Sequence, residues 1–307
     1  MGERLKHFVE SQQLDEKLIY NLFRGADSFR QNPRSNLNLD GKTVAMLFYE
    51  PSTRTRFSFE SAAMGLGAKI IGTEDAKKFS STAKGESLED TIMVVGGYCD
   101  GIVLRHDQNG AAARAAEISD VPIINAGDGK GQHPTQALLD AYTIYRELGS
   151  LNNIKLAFVG DLASGRTVRS LCYLMGKFSG IDITFVSPEN LRIGQDIQDY
   201  LRRNGAQFRE DANLERVLPQ VDIVYMTRIQ RERISAEEYD RAHGKYAIDE
   251  NNFRLIRRDG RLMHPLPHLE EIDLPVELVK NDKRVAYIRQ AHNGLFIRMA
   301  LLAHMLG

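Results

Sequence analysis

Short apolar runs alternate with longer segments whose apolar residues recur every three or four positions, and this continues along almost the whole chain. A run of four to six apolar residues suits a buried strand, whereas i, i+3, i+4 spacing suits one face of a helix. Strands are expected at Val44–Phe48, Ile102–Leu104, Val121–Ile124, Lys155–Val159, Asp182–Val186, Asp222–Tyr225 and Arg261–Met263. Pro122 weakens the third of these because it cannot donate to a ladder. Leu18, Leu22, Ala26 and Phe29 share one face of an opening helix, and a second helix is expected from Ser52 to Leu66, stopped by Gly67. A third spans Thr135–Leu148, and a closing helix carries the stripe Leu295, Met299, Leu302 and Leu306. Such alternation predicts an α/β fold of two doubly wound domains, each a parallel sheet with helices on both faces. The Gly, Ser and Asn-rich stretch Gly149–Asn153 marks the boundary, giving domains at 1–149 and 150–289, with the helix 290–307 docking back on the first.

Composition narrows the classes. The chain has 307 residues, 42% hydrophobic and 26% charged, with a formal net charge of -1. No global field attracts nucleic acid, and no basic, aromatic-lined stripe is present, so anions must be met by local cations. No apolar stretch reaches the roughly 20 residues of a membrane span. The charged start Met1–Lys6 lacks the apolar core of a secretory leader, so a cytoplasmic protein is expected. Cys99 and Cys172 are far apart and read as small core hydrophobes, and no Cys/His cluster has metal-ligand spacing. Phe158-Val159-Gly160-Asp161 hints at a dinucleotide fold, but the G-x-G-x-x-G signature is missing.

Ligands of open α/β sheets bind beyond the carboxyl ends of the strands. Polar and cationic residues gather there. Ser52-Thr53-Arg54-Thr55-Arg56 follows the first strand, Arg105 the next, and His133-Pro134-Thr135-Gln136 the one after. In the second half come Asp161 and Arg166, then Thr227-Arg228-Ile229-Gln230, then His264-Pro265-Leu266-Pro267. The pattern predicts an interdomain cleft that takes an anion. The Ser52–Arg56 segment reads either as an ordinary helix cap or as a phosphate cradle at a helix N-terminus. Two arginines in the first turn oppose the helix dipole unless an anion is present, which favours the cradle.

Together these motifs resemble the aspartate/ornithine carbamoyltransferase family over essentially the whole chain, through to Gln290-Ala291-His292-Asn293-Gly294-Leu295. Ser52–Arg56 and His133–Gln136 are similar to two motifs common to the family. Thr227–Gln230 and His264–Pro267 resemble the members that use aspartate rather than ornithine, and an arginine facing the acceptor suits a dicarboxylate. The resemblance implies a reaction between carbamoyl phosphate and L-aspartate, an early step of de novo pyrimidine biosynthesis, without metal or cofactor.

It further implies that Ser52, Thr53, Arg54 and Thr55 bind the phosphate. Thr55, Arg105, His133 and Gln136 would surround the carbamoyl group, with the backbone of Leu266 and Pro267 closing the pocket. Arg166, Arg228 and Gln230 would hold the aspartate carboxylates, with Lys84 also in the aspartate-binding set. Ser80 and Lys84 match a loop that enters the neighbouring subunit's site, which makes a homotrimer with shared sites the working unit; regulatory chains are a possible addition. Thr55, Arg105, His133 and Lys84 are the expected catalytic residues, and Glu50 is expected to orient Arg166 and Arg233 on domain closure. His268 departs from the family, where Arg is common.

Overall fold

The computed structural model describes residues 5–32, 39–79, 81–229 and 245–307. Gln230, Arg233 and Ser80 therefore lie outside the described residues. The chain divides into two compact units, Met1–Leu139 with His292–Gly307, and Asp140–Ala291.

The first unit is built on four parallel strands: β1 (Thr43–Phe48), β2 (Lys69–Glu74), β3 (Gly101–His106) and β4 (Ile123–Asp128), in the order β2-β1-β3-β4. Five of the six β1 residues are buried, as a strand covered on both faces requires. Beyond β4 the segment around Phe8 adds a further rung: Phe8 N–H donates to the Ile123 carbonyl at 2.8 Å, and Asn125 N–H to the Phe8 carbonyl at 2.9 Å. Phe8 is wholly buried there, which contributes roughly 2 kcal/mol at most by area.

Helix α1 (Glu16–Gln31) is capped by the Asp15 carboxylate, which accepts from Leu18 N–H, and buries Ile19, Leu22, Phe23, Ala26 and Phe29. Helix α2 (Thr53–Gly65) ends as the sequence predicts, with Gly67 just beyond it at φ 87°, a left-handed conformation natural to glycine.

The second unit has β5 (Lys155–Val159), β6 (Asp182–Val186), β7 (Gln207–Glu210), β8 (Ile223–Met226) and β9 (Arg261–Met263), all parallel, in the order β7-β6-β5-β8-β9. Its core joins Ala157, Val159, Val224, Met226 and Leu262 to Phe253, Ile256 and Tyr287. Helix α3 (Pro134–Leu148) and the closing helix α4 (Tyr287–Leu306) each run through a point where the chain passes from one unit to the other. Two parallel sheets bear out the α/β reading.

Three local expectations shift. β2 and β7 have no counterpart in the hydrophobic pattern. β4 begins after Pro122 and continues to Asp128, beyond the predicted end at Ile124. Helix α3 is not amphipathic in its first part: residues 133–144 are buried without exception, which is how a helix behaves when every face is covered. Cys172 is fully buried, and burial pushes its thiol pKa well up; Cys99 is only half-buried, its Sγ donating to the Val95 carbonyl at 3.3 Å.

Candidate active site

In the first sheet the strand order reverses between β1 and β3, and ligands of such sheets bind at that reversal. Phe48, the last residue of β1, lies beside Arg105 near the end of β3, and Tyr49 N–H donates to the Arg105 carbonyl at 2.8 Å. One residue on, Glu50 meets Arg105: Nη2 stands 3.3 Å from Oε2, while Nη1 donates to the Ala126 carbonyl at 3.3 Å. The ring of Tyr49 packs on that of His106 at 4.4 Å between centroids. Arg105 is thus fixed from three strands at the switch point.

Ser52 is the N-cap of α2, yet its side chain makes no capping hydrogen bond, and the first turn contains no acid. The hydroxyl that ought to satisfy the helix is left for another partner. Arg56 is spent within the fold, donating to Glu60 at 2.7 Å and to Glu74 at 2.9 Å. No carboxylate among the described residues pairs with Arg54. Its side chain is exposed, but enough protein surrounds the guanidinium that desolvation lowers its pKa. Thr55 is buried. An uncapped helix start with an unneutralised arginine is an electropositive site.

His133 and Gln136 open α3. The His133 carbonyl accepts from Gln136 N–H at 2.9 Å and Ala137 N–H at 3.1 Å, with Pro134 preorganised at the first helical position. The loop before it is tied down by Asp128, whose carboxylate accepts from the backbone N–H groups of Gly110 and Gln132. His133 and Gln136 are both buried, and Nδ1 of His133 stands 3.4 Å from Thr135 Oγ1.

The second sheet reverses between β5 and β8. Here Gly160 takes φ 113°, and a Cβ on it would fall 2.2 Å from the Thr227 carbonyl oxygen, so only glycine fits. Both the N–H and the hydroxyl of Thr227 donate to the Val159 carbonyl at 2.8 Å. This close seam places Arg228, half-buried, at the first step beyond the switch. Asp161 is buried and accepts from Ser164 N–H at 2.9 Å. Arg166 begins helix Arg166–Met175 behind Gly165, which has no side chain to cap with.

After β9 the chain enters a turn shaped by buried polar groups. His264 is 2% exposed and its Nδ1 accepts from Leu266 N–H at 2.8 Å. Leu266 has φ 56°, and the Leu266–Pro267 peptide is cis. Nε2 of His264 lies 2.9 Å from Glu271 Oε1, close but not in line as a hydrogen bond. Glu271 is 8% exposed. Burial works to raise its pKa, but the His264 contact and backbone N–H groups outweigh that and leave it below the usual carboxylate value. The His264 N–H donates to Gln290 Oε1 at 2.9 Å, and Gln290 Nε2 donates to Asp140 at 2.6 Å. Asp140 also accepts from the Tyr225 hydroxyl at 2.7 Å. Burial, then the Asp140 charge, push the Tyr225 pKa far up, so this hydroxyl stays protonated.

The structure thus brings Glu50 and Arg105 into contact, and sets Ser52–Thr55 and His133–Gln136 at the starts of their helices. Arg166, Arg228, Leu266 and Pro267 follow strands of the second sheet. Lys84 is exposed, at the end of a short 3₁₀ turn, Ser81–Lys84. Sequence reasoning passed over Asp140 and Glu271. An acid buried in this way carries no signature in a single sequence.

Among the described residues no group of three or more His, Cys, Asp and Glu side chains could hold a metal ion, and no helix is long and apolar enough to cross a membrane. Residues 6–146 match the family model described as aspartate/ornithine carbamoyltransferase, carbamoyl-P binding domain, and residues 152–305 match the corresponding Asp/Orn binding domain. A chloroplastic aspartate carbamoyltransferase of Pisum sativum is 50% identical over 99% of this chain and 78% of its own. The catalytic subunit of Methanocaldococcus jannaschii aspartate carbamoyltransferase is 44% identical over 98% of both chains. Its solved structure superposes with a TM-score of 0.90, covering 98% of each chain at 43% identity. Aspartate transcarbamoylase of Trypanosoma cruzi, solved with carbamoyl aspartate and phosphate, has a TM-score of 0.92 at 36% identity, covering 98% of this chain and 96% of its own.

Proposed function

The chain belongs to the aspartate/ornithine carbamoyltransferase family, and from that premise we propose that it transfers the carbamoyl group of carbamoyl phosphate to the amine of L-aspartate. The products are N-carbamoyl-L-aspartate and phosphate, an early step of de novo pyrimidine biosynthesis. The observation that carries the reading is the start of α2: an N-cap hydroxyl not used by its own helix beside an arginine that no described carboxylate neutralises.

Carbamoyl phosphate is already an activated acyl donor, so the protein's task is to position two anions that repel each other and to stabilise the developing oxyanion. Ser52, Thr53, Arg54 and Thr55 hold the phosphate. Thr55, Arg105 and His133 donate to the carbonyl oxygen, Gln136 contacts the carbamoyl group, and the backbone of Leu266 and Pro267 closes that side. Arg166, Arg228 and Gln230 bind the aspartate carboxylates. The amine attacks the carbonyl carbon, a tetrahedral intermediate forms, and the C–O bond to phosphate breaks. The leaving phosphate takes the amine proton. Glu50, paired with Arg105 in the first unit, exchanges to Arg166 and Arg233 when the domains close.

Carbamoyl phosphate belongs to the first unit and aspartate to the second, and the chain passes between them at Leu139–Asp140 and Ala291–His292 rather than at residues 149 and 290 as the composition suggested. The enzyme works in the cytoplasm as a homotrimer, with Ser80 and Lys84 reaching a neighbour's site; regulatory chains are compatible with it. Aspartate-dependent phosphate release, with the organic product identified, tests the reaction. A panel including ornithine tests the acceptor: turnover with ornithine and none with aspartate overturns the reading. Mixing inactive Lys84→Ala and Arg54→Ala chains restores activity if sites are shared, and mixed chains that stay inactive confine Lys84 to its own subunit.

A further inference from the structure

The turn after β9 holds a backbone conformation that its own sequence does not favour. Leu266, a residue with a full side chain, sits at φ 56°, a left-handed conformation that is uncommon and costly outside glycine, asparagine and aspartate. It persists only if its surroundings hold it. The Leu266 N–H donates to Nδ1 of His264 at 2.8 Å. That bond has a condition: Nδ1 accepts only while it carries no proton. A neutral imidazole with its proton on Nε2 meets the condition; the other tautomer, or the imidazolium, would set donor against donor. At the far side of the ring, Glu271 Oε1 lies 2.9 Å from Nε2. A carboxylate at that distance favours a proton on Nε2 and repels a bare lone pair. Both groups are buried, the imidazole at 2% and the carboxylate at 8% exposure, so water screens neither.

We infer that Glu271 is a positioning residue: it selects the Nε2–H tautomer of His264, and through that ring it fixes the turn at Leu266. The inference rests on the proposed reading in which the Leu266 and Pro267 backbone faces the carbamoyl group. In this role Glu271 acts through His264 and not on the substrate itself. Its own Oε2 accepts from Leu269 N–H at 3.1 Å, and the His264 backbone N–H is held by Gln290 at 2.9 Å, so the ring is anchored while its proton is assigned. The arrangement parallels the buried carboxylate that orients a catalytic histidine, except that here the histidine serves the backbone rather than the substrate.

The test is made on the full-length chain. Ring-nitrogen NMR of the ¹⁵N-histidine-labelled protein, assigned with His264→Asn, should show His264 protonated on Nε2 and bare on Nδ1 at neutral pH. Glu271→Gln keeps an oxygen that can face Nε2–H and should retain the tautomer and most of the turnover. Glu271→Leu should give mixed tautomers and, by misplacing the turn, lose on the order of 100-fold in kcat. A role confined to packing would lower Tm in both variants without changing the ring nitrogens. A wild-type His264 protonated on Nδ1, or Glu271→Leu with wild-type turnover, overturns the inference. If Glu271→Leu does not fold, the wild-type spectrum and Glu271→Gln still decide. A wild-type protein that makes no N-carbamoyl-L-aspartate would sink the proposed function, while the nitrogen spectrum would still judge the Glu271–His264 link.

Discussion

Arg105 and Glu50 face each other at 3.3 Å across the gap between β1 and β3, the guanidinium side chain only 12% exposed and the carboxylate 36%. The arginine is thereby held at the strand reversal with its charge answered from within its own unit. In the proposed reaction an anionic substrate would offer the same guanidinium a second partner, in exchange for Glu50.

Arg105→Ala should therefore reduce turnover by on the order of 100-fold or more, the usual effect of losing one oxyanion donor. The melting temperature should change little, because the partner it leaves, Glu50, is partly in water. Steady-state carbamoylation beside a thermal melt checks both, and unchanged turnover removes Arg105 from the chemistry.

Ser52→Ala separates the two readings of its helix start. Losing a working cap typically costs about 1 kcal/mol, but the Ser52 side chain does not cap. The variant should melt like the parent while its KM for carbamoyl phosphate rises. Ser87→Ala is the control, because Ser87 Oγ does accept from Asp90 N–H; it should lose stability and keep its KM.

Gly160→Ala should destabilise the second unit by on the order of 3 kcal/mol, combining φ strain with a backbone collision. The collision is with Thr227, whose neighbour is Arg228, so the KM for aspartate should rise more than that for carbamoyl phosphate. Differential scanning calorimetry with both KM values would show it, and a silent substitution would mean the seam is looser than 2.2 Å allows.

Glu147 gives the pH dependence. Burial raises its pKa, but hydrogen bonds from Arg289 and Arg261 outweigh burial and hold it below its ordinary 4.5. A depressed carboxylate contributes stability that is fully present above the unfolded-state value and is lost as pH falls through the lower, folded one. Tm should therefore fall on acidification below about pH 4.5, and Glu147→Gln should flatten that limb. At neutral pH the same variant should cost on the order of 1 kcal/mol, since the amide oxygen still accepts and both arginines keep backbone carbonyl partners. An acid limb identical in parent and variant would assign the loss to other carboxylates.

The seven predicted strands appear because their residues are mostly buried, even in β4 and β9, which end their sheets. β2 and β7 escaped for one physical reason: both are edge strands, mostly exposed, with sequences Lys-Ile-Ile-Gly-Thr-Glu and Gln-Phe-Arg-Glu that keep polar groups toward water. β4 extends through Asn125, which looks like a loop residue but is fully buried, because its amide donates to the Val9 carbonyl and accepts from Gly127 N–H. The candidate site was easier to point to than the fold's edges, since its cations stand within strand ends, as Arg105 does, or within a few residues beyond them. Its supporting acids were not. Glu271 and Asp140 matter through what they touch 7 and 150 residues away, and separations of that kind leave no periodic trace.

Helix α3 has a consequence for anyone who would divide the chain. A cut in the loop at Gly149 looks harmless on the page, yet it would leave Asp140 on the discarded piece. The remaining fragment would keep the Tyr225 hydroxyl and the Gln290 amide, both built to donate to that single carboxylate. Two buried donors would be orphaned at once, so the severed half is expected to be insoluble or molten unless its first ten residues travel with it.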